Sequence, residues 1–153
     1  MDAFDRKILA CLQTDAGRSV AEIAEQVGLS PTPCWRRIRN LEKDGIIKNR
    51  VALLDRERLG LGVIVFVAVR THEHSADWLD RFASAVHEFP EVLEFHRMSG
   101  DIDYLLKVAV ADIKAYDAFY KRLIAAVPLS DVSSSFAMEE IKSTTALPLP
   151  PAQ

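Results

Sequence analysis

The chain has 153 residues, of which 49% are hydrophobic and 27% charged, a composition typical of a globular protein with one medium or two small domains. The longest apolar run is too short to span a bilayer, no secretory leader is visible, and two cysteines do not make a disulfide framework, so we expect a cytoplasmic protein. The net charge of −3 is uneven: residues 1–60 carry +2 and residues 61–153 carry −5, which favours phosphate contacts in the first part of the chain.

The N-terminal part is predicted to begin with two short helices. Asp2 is a plausible N-cap for the first helix, which should end near residues 15–17. Ser19 and Glu22 form a capping-box pattern at the start of the second helix. Gly28 can take the positive φ that helix C-termini favour, and it opens a turn that leads directly into a third helix.

This third helix is predicted from Pro31 to Asp44, with Ser30 as its cap and Gly45 as its stop. Its spacing puts three apolar residues on one face and leaves the rest polar and basic. A basic helix face is usually just solvated, but the preceding turn and capped helix favour DNA binding, because this order is typical of a helix-turn-helix. The predicted inward residues are Cys34, Ile38 and Leu41, and the predicted DNA contacts are Ser30, Thr32, Arg36, Arg37, Arg39, Asn40 and Lys43.

Position along the third helix predicts how these side chains divide their roles. Thr32 and Arg36, near the start of the helix, are predicted to reach base edges. Asn40 suits a base or a phosphate, and Trp35 packs either in the core or on the DNA backbone, with the core favoured. The residues predicted to contact phosphates are Arg37, Arg39 and Lys43.

The segment after the third helix, residues 46–54, is predicted to be extended, either as a short wing or as a linking strand. The charged, glycine-bounded stretch that follows is predicted to hold a domain boundary. We therefore expect a helix-turn-helix domain with its linking strand (1–60), a second domain (61–143) and a flexible, proline-containing tail (144–153).

The second domain is predicted to follow the order β-α-β-β-α-β, with helices capped by Ser75 and Asp112. That order indicates a ferredoxin-like sheet with helices on one face, so the fold class is α+β. The predicted strands are residues 63–69, 92–98, 104–110 and 132–141.

The first of these strands is apolar at nearly every position, which predicts burial on both of its faces. A ferredoxin-like fold covers only one face of its sheet with helices. A second copy of the same sheet is the economical cover for the other face, so the pattern predicts a homodimer.

Several short motifs follow one another through nearly the whole chain: DRKIL at 5–9, VGLS at 27–30, PCWRR at 33–37, LEKDGII at 41–47, LGLG at 59–62 and MSGDIDYLL at 98–106. Their order and spacing resemble the Lrp/AsnC family, the feast/famine regulators of bacteria and archaea. The resemblance implies a dimer that assembles further, commonly to an octamer, and that binds double-stranded DNA through its third helix. It also implies a response to an amino acid held near residues 100–104, where two dimers meet.

Within that family, residues 32–35 and 132–139 look like those of the cysteine-responsive branch. The loop at residues 128–131 looks one residue short, a departure that puts the rim of the effector pocket and the contacts between dimers in doubt.

The resemblance also suggests how an effector is held. Asp101 or Asp103 would pair with the ammonium of an amino acid, and backbone N–H groups of the turn would hold its carboxylate. Acidic and glycine residues also make plain hairpin turns, so the pattern by itself leaves both roles open. The predicted effector contacts are Gly100, Asp101, Asp103, Tyr104, Ser134 and Ser135.

Other reactive residues give weaker signals. His72 and His74 would project to one side of a strand, but no third ligand is in sight, so no metal is predicted. Cys34 is interpreted as a core residue rather than a redox switch. No catalytic set or nucleotide-binding motif emerges, so we predict no enzyme and no cofactor. The rival interpretations are a small-molecule-binding protein or enzyme on the ferredoxin-like half, and a helical module that binds protein instead of DNA.

Overall fold

The computed structural model describes residues 1–150, which form two compact units. The first unit is Met1–Leu53 together with the segment that begins at Lys142, and the second is Leu54–Ile141. The two units therefore divide between Leu53 and Leu54, before the boundary expected after residue 60. Residues 151–153 of the expected tail lie outside the described residues. The elements are α1 (Ala3–Thr14), α2 (Val20–Val27), α3 (Pro31–Lys43), β1 (Val63–Arg70), α4 (Ala76–His87), β2 (Val92–Arg97), β3 (Tyr104–Val110), α5 (Ile113–Ala126) and β4 (Asp131–Phe136).

In the first unit, local capping sets where the helices begin. The Asp2 carboxylate accepts the backbone N–H groups of Phe4 and Asp5, and a reciprocal capping box joins Ser19 and Glu22. Gly28 ends α2 in the left-handed region with a φ of +78°, which a side chain would strain. The predicted helix starts and the predicted turn are confirmed. The buried side chains of this unit are Ile8, Leu9, Cys11, Ile23, Ala24, Val27, Cys34, Ile38 and Leu41.

The C-terminal segment of the first unit differs from the expected loose end. The side-chain amide of Gln13 donates to the carbonyl of Leu147 and accepts its backbone N–H, at 3.2 and 2.6 Å. Leu149 packs against the helical core. These contacts attach residues 142–150 to the first unit although they form no regular secondary structure.

The second unit contains a four-stranded antiparallel sheet in the order β2-β3-β1-β4. Helices α4 and α5 pack on one face of that sheet, where Trp78, Phe82, Phe119 and Leu106 are fully buried. The element order and the strand order confirm the predicted ferredoxin-like arrangement. No helix within residues 1–150 combines the length and the apolar character needed to cross a bilayer.

The face of the sheet away from the helices is only partly covered within one chain. Val65, Val67 and Val69 of β1 are fully buried under the helices, whereas Phe66 points the other way and is 39% exposed. Alternating side chains of a strand point to opposite faces and the helices cover only one, so the predicted burial of the other face of β1 depends on the predicted second copy. Cover by a second copy stays a prediction.

Two expected strands differ from the structure. Residues 48–55 have no regular secondary structure, so the expected wing or linking strand is not formed within the chain. The last strand ends at Phe136 instead of residue 141. A strand needs a hydrogen-bonded neighbour, and the register of β4 on β1 runs only from Arg70 opposite Asp131 to Val65 opposite Phe136.

We expect Leu106→Ala to lower the free energy of unfolding by about 2–5 kcal/mol, because it leaves a cavity at a fully buried position in the middle of the sheet. Ile113→Ala, at a position 70% exposed, is the matched control and should change stability by about 0.5 kcal/mol or less. Urea unfolding at fixed protein concentration measures both. Equal losses in the two variants would contradict the assigned core.

Candidate DNA interface and effector site

The outer face of α3 is set by the burial of its inner face. Cys34, Ile38 and Leu41 are nearly inaccessible and anchor the helix in the core of the first unit. With about 100° of rotation per residue, this stripe turns the polar residues of the helix towards solvent. The predicted contacts that are exposed are Ser30, Thr32, Arg36, Arg39, Asn40 and Lys43.

The charges on this face are not equally available. Glu42 accepts hydrogen bonds from Arg39 at 3.2 Å and from Arg50 at 2.9 Å, so one carboxylate is shared by two guanidinium groups. Arg39 is nonetheless 65% exposed, and ion pairs at such positions are weak. Its side chain can therefore exchange Glu42 for a phosphate at little cost.

Arg37 differs from the other predicted contacts because it is held inside the unit. Its guanidinium donates to the carboxylates of Asp2 and Asp5, both at 2.8 Å, and lies 5.5 Å from the centre of the Phe4 ring. The side chain is 30% exposed, and that of Asp5 only 16%. This geometry gives Arg37 a structural role between α1 and α3, in place of the phosphate contact expected from its position.

The same cluster shifts the ionisation of its members. The backbone N–H of Asp5 and the guanidinium of Arg37 lower the pKa of the Asp2 carboxyl, and the two carboxylates raise the pKa of Arg37. A carboxyl with a lowered pKa in the folded state stabilises the fold above its unfolded pKa, and this contribution is lost as the pH falls through the folded value. The pairing is therefore fully present at neutral pH.

Ser30 occupies the N-cap position of α3, but its side chain makes no capping hydrogen bond. An N-cap oxygen accepts from the second or third residue of the helix, and Pro33, the third residue, has no N–H to donate. Pro31 also lacks one, so Thr32 supplies the one free N–H of the first turn. The predicted capping by the Ser30 hydroxyl is wrong, and phosphates at this end must be met mainly by side chains.

Trp35 corrects another expectation. Of the two predicted locations, the core was favoured over the DNA backbone, yet Trp35 is 54% exposed. The residue follows Cys34, and a rotation of about 100° carries its side chain off the buried stripe. The hydrophobic character of tryptophan suggested burial, but its position outside the stripe of Cys34, Ile38 and Leu41 leaves the indole largely in solvent.

The predicted effector turn is a loop between β2 and β3 that is tied to the end of β1. The backbone N–H of Met98 donates to the carbonyl of Asp103 at 2.8 Å and closes the loop, in which Gly100 has a φ of +114°. Arg70 donates its Nε–H to the carbonyl of Asp101 at 2.7 Å. Arg70 is not among the contacts predicted from the sequence, although its position at the end of an apolar strand was a visible signal.

The two acidic residues of this loop have different surroundings. The carboxylate of Asp103 accepts the backbone N–H of Thr71 at 2.8 Å, and its other oxygen lies 4.0 Å from Nδ1 of His74. Asp103 therefore connects the loop to the segment after β1. Asp101 is exposed, so its carboxylate is the more accessible partner for an ammonium group.

Three further predicted effector contacts are residues of the strands β3 and β4 and not of this loop. Tyr104 is buried, with its ring centre 5.6 Å from that of Trp78, so it belongs to the aromatic core. Ser134 faces the helices and is hydrogen-bonded to the hydroxyl of Tyr116. Ser135 points to the opposite face because side chains alternate along a strand. In the register of β4 on β1, Ser134 and Ser135 lie opposite Val67 and Phe66, and the residue of β4 opposite Arg70 is Asp131.

The remaining reactive groups form no second site. Within the described part of the chain, no three His, Cys, Asp or Glu side chains cluster as metal ligands would. Cys11 and Cys34 are free and buried. Burial raises the pKa of the Cys34 thiol, which keeps it protonated and poorly nucleophilic.

Comparison with known proteins bears on both units. Residues 1–48 match the winged helix-turn-helix DNA-binding family, and residues 64–147 match the Lrp/AsnC ligand binding domain. The chain is 59% identical to the glutamate uptake regulatory protein of Zymomonas mobilis, over 98% of this chain and 92% of that protein. It is 56% identical to the DNA-binding transcriptional activator DecR of Escherichia coli K12, over 97% of this chain and 99% of that protein.

Solved structures agree in fold along nearly the whole chain. A crystal structure of an AsnC family transcriptional regulator from Agrobacterium tumefaciens has a TM-score of 0.94 and 61% identity, covering 97% of each chain. A transcriptional regulator of Neisseria meningitidis in complex with L-Met has a TM-score of 0.93 and 38% identity, covering 97% of this chain and 96% of that one.

We expect Arg37→Gln to lower the Tm of the protein, whereas Arg39→Gln should leave it nearly unchanged, since only Arg37 joins two helices. In a double-mutant cycle, Arg37→Gln with Asp5→Asn should give a measurable coupling free energy of about 0.2–1 kcal/mol, small because the pair is partly exposed. Thermal unfolding followed by circular dichroism measures these effects. Additive losses of stability in the Arg37 and Asp5 variants would show that this ion pair does not stabilise the contact between α1 and α3.

Proposed function

This chain belongs to the Lrp/AsnC family of DNA-binding transcription regulators, and from that premise we propose that α3 binds duplex DNA and that the β2–β3 loop takes part in sensing an amino acid. Like its relatives, which are transcription regulators, the chain is a regulator and not an enzyme. The observation that carries the DNA proposal is the amphipathic geometry of α3, whose inner stripe is buried while its cationic side is exposed.

The proposed contacts divide by their position on α3. Thr32 and Arg36 lie near the start of the helix, where a recognition helix reaches base edges in the major groove. Arg39 and Lys43 lie further along and would meet phosphates, and Asn40 suits either role. Arg37 would act indirectly, by fixing the angle between α1 and α3.

The proposed effector is a free amino acid, which carries one ammonium and one carboxylate group. The exposed carboxylate of Asp101 would pair with the ammonium, and backbone N–H groups of the loop would hold the carboxylate. The Neisseria relative in complex with L-Met supports this class of ligand. Cysteine stays a prediction that rests on the resemblance of residues 32–35 and 132–139.

We further propose a homodimer that assembles to larger forms such as an octamer. The exposed side chain of Phe66 on the uncovered sheet face supports pairing with a second sheet. A dimer would place two α3 helices in successive major grooves of a roughly palindromic site. The effector would have to bind one assembly more tightly than another to shift the balance between them. Chromosomal DNA as the partner implies a cytoplasmic location.

Salt and charge provide the test of DNA binding. In gel-shift titrations on the upstream region of the chain's own gene, affinity should fall steeply between low and moderate salt, because cationic side chains release counterions. Arg39→Gln should reduce the salt slope by about 1 and weaken all sequences alike, whereas Arg36→Gln should also relax sequence preference. Salt-independent binding, or equal sequence-independent losses in both variants, would contradict these roles.

The same titrations, repeated with single free amino acids including L-cysteine, L-methionine and L-glutamate, test effector sensing. Asp101→Asn should reduce the response to the active amino acid at least about tenfold, since it removes a charged partner of the ammonium, and should leave binding without effector unchanged. Asp80→Asn, the same change at an exposed residue of α4, is the control. An unaltered response in Asp101→Asn would remove this residue from the proposed site.

A further inference from the structure

Trp35 presents a large apolar side chain to solvent on the helix proposed to read DNA. The chain has two tryptophans, and they differ in environment. Trp78 is fully buried and donates its indole N–H to the carbonyl of Pro128 at 3.2 Å. Trp35 is 54% exposed, so most of its ring gains nothing from the fold. Its exposure therefore calls for an explanation outside the packing of the unit.

The position of Trp35 on α3 places it at the border of the cationic face. Side chains three and four apart on a helix are neighbours, so the indole lies between Thr32 and Arg39. It is the fifth residue of the helix, within the part that enters a major groove deepest. Trp35 thus stands beside the predicted base-reading residues and not on a separate surface.

We propose that Trp35 is a specificity-determining residue that packs on the C5-methyl group of a thymine at the edge of the major groove. This inference rests on the proposed function of α3. The thymine methyl is the apolar feature of the major-groove code, and an apolar side chain recognises it by contact. Tryptophan buries a large area with few rotatable bonds, which suits such a contact.

The charge around Trp35 favours DNA over a protein as the occupant. Arg39, one turn further along α3, and Arg36, the next residue, are both exposed, and the carboxylate of Glu42 is already shared by Arg39 and Arg50. The surface next to the indole is therefore cationic and matches a polyanion. An apolar ring surrounded by such charges fits a base methyl flanked by phosphates.

A substitution in the DNA tests the contact directly. The wild-type protein is used to select binding duplexes from a randomised pool, and each shared thymine is then replaced by deoxyuridine, which removes the methyl group alone. For the wild type, affinity should fall about fourfold at one such position, as expected for one buried methyl group. Trp35→Ala should bind the thymine and deoxyuridine duplexes equally well, and Leu147→Ala, at an exposed apolar residue of the tail segment, should behave as the wild type.

Fluorescence gives a second, independent measurement. Saturation with the selected duplex should reduce quenching of Trp35 by acrylamide, because the indole becomes covered. Trp35→Phe leaves the buried Trp78 as the emitter, and its quenching should not change on DNA binding.

The outcomes separate the inference from the function on which it rests. If the wild type selects no duplex, both fail. If it selects a sequence but Trp35→Ala keeps the same discrimination between thymine and deoxyuridine, the inference is overturned and the DNA-binding function stands. Selected sites with no shared thymine overturn it as well.

Discussion

The burial of Cys34, Ile38 and Leu41 is the constraint on which the DNA-binding surface depends. These side chains lie in one core with Ile8 of α1 and Ile23 of α2. Once that stripe is inside, the rotation of α3 is fixed and the directions of all its other side chains follow. The direction of the proposed DNA contacts is thus a consequence of packing, since those residues make few contacts of their own.

Electrostatics then refines the surface that packing exposes. The basic residues of α3 are alike in sequence, yet Arg37 is bound to two carboxylates, Arg39 shares Glu42 with Arg50, and Arg36 and Lys43 are exposed. The charge offered to a phosphate backbone is therefore smaller than the count of basic residues suggests. Arg37 contributes by holding the N-terminus of α1 against α3, which stabilises the orientation of the helix.

In the second unit, the position of the β2–β3 loop is set by contacts with the end of β1. Asp103 accepts the N–H of Thr71, and Arg70 donates to the carbonyl of Asp101. One acidic residue is thus used to hold the loop and the other is left exposed. The partly covered sheet face around Phe66 and the exposed carboxylate of Asp101 are the features of this unit on which the proposed dimer and the proposed effector site depend.

Local chemistry was enough to predict much of this protein. Capping at Asp2 and Ser19, the turn at Gly28 and the alternation of strands and helices depend on near neighbours in the chain. The sequence alone therefore determined where α1 and α2 begin, the order of the helices and of the sheet strands, and the buried stripe of α3. Long-range packing decided the rest. The partners of Arg37 are more than 30 residues away, and Trp35 is exposed because it lies off the stripe of α3 that packs in the core. Ser134 and Ser135 diverge because the register of β4 on β1 assigns them to opposite faces. Residue type indicates which interactions a side chain can make. Only the folded chain determines which other groups lie close enough to make them.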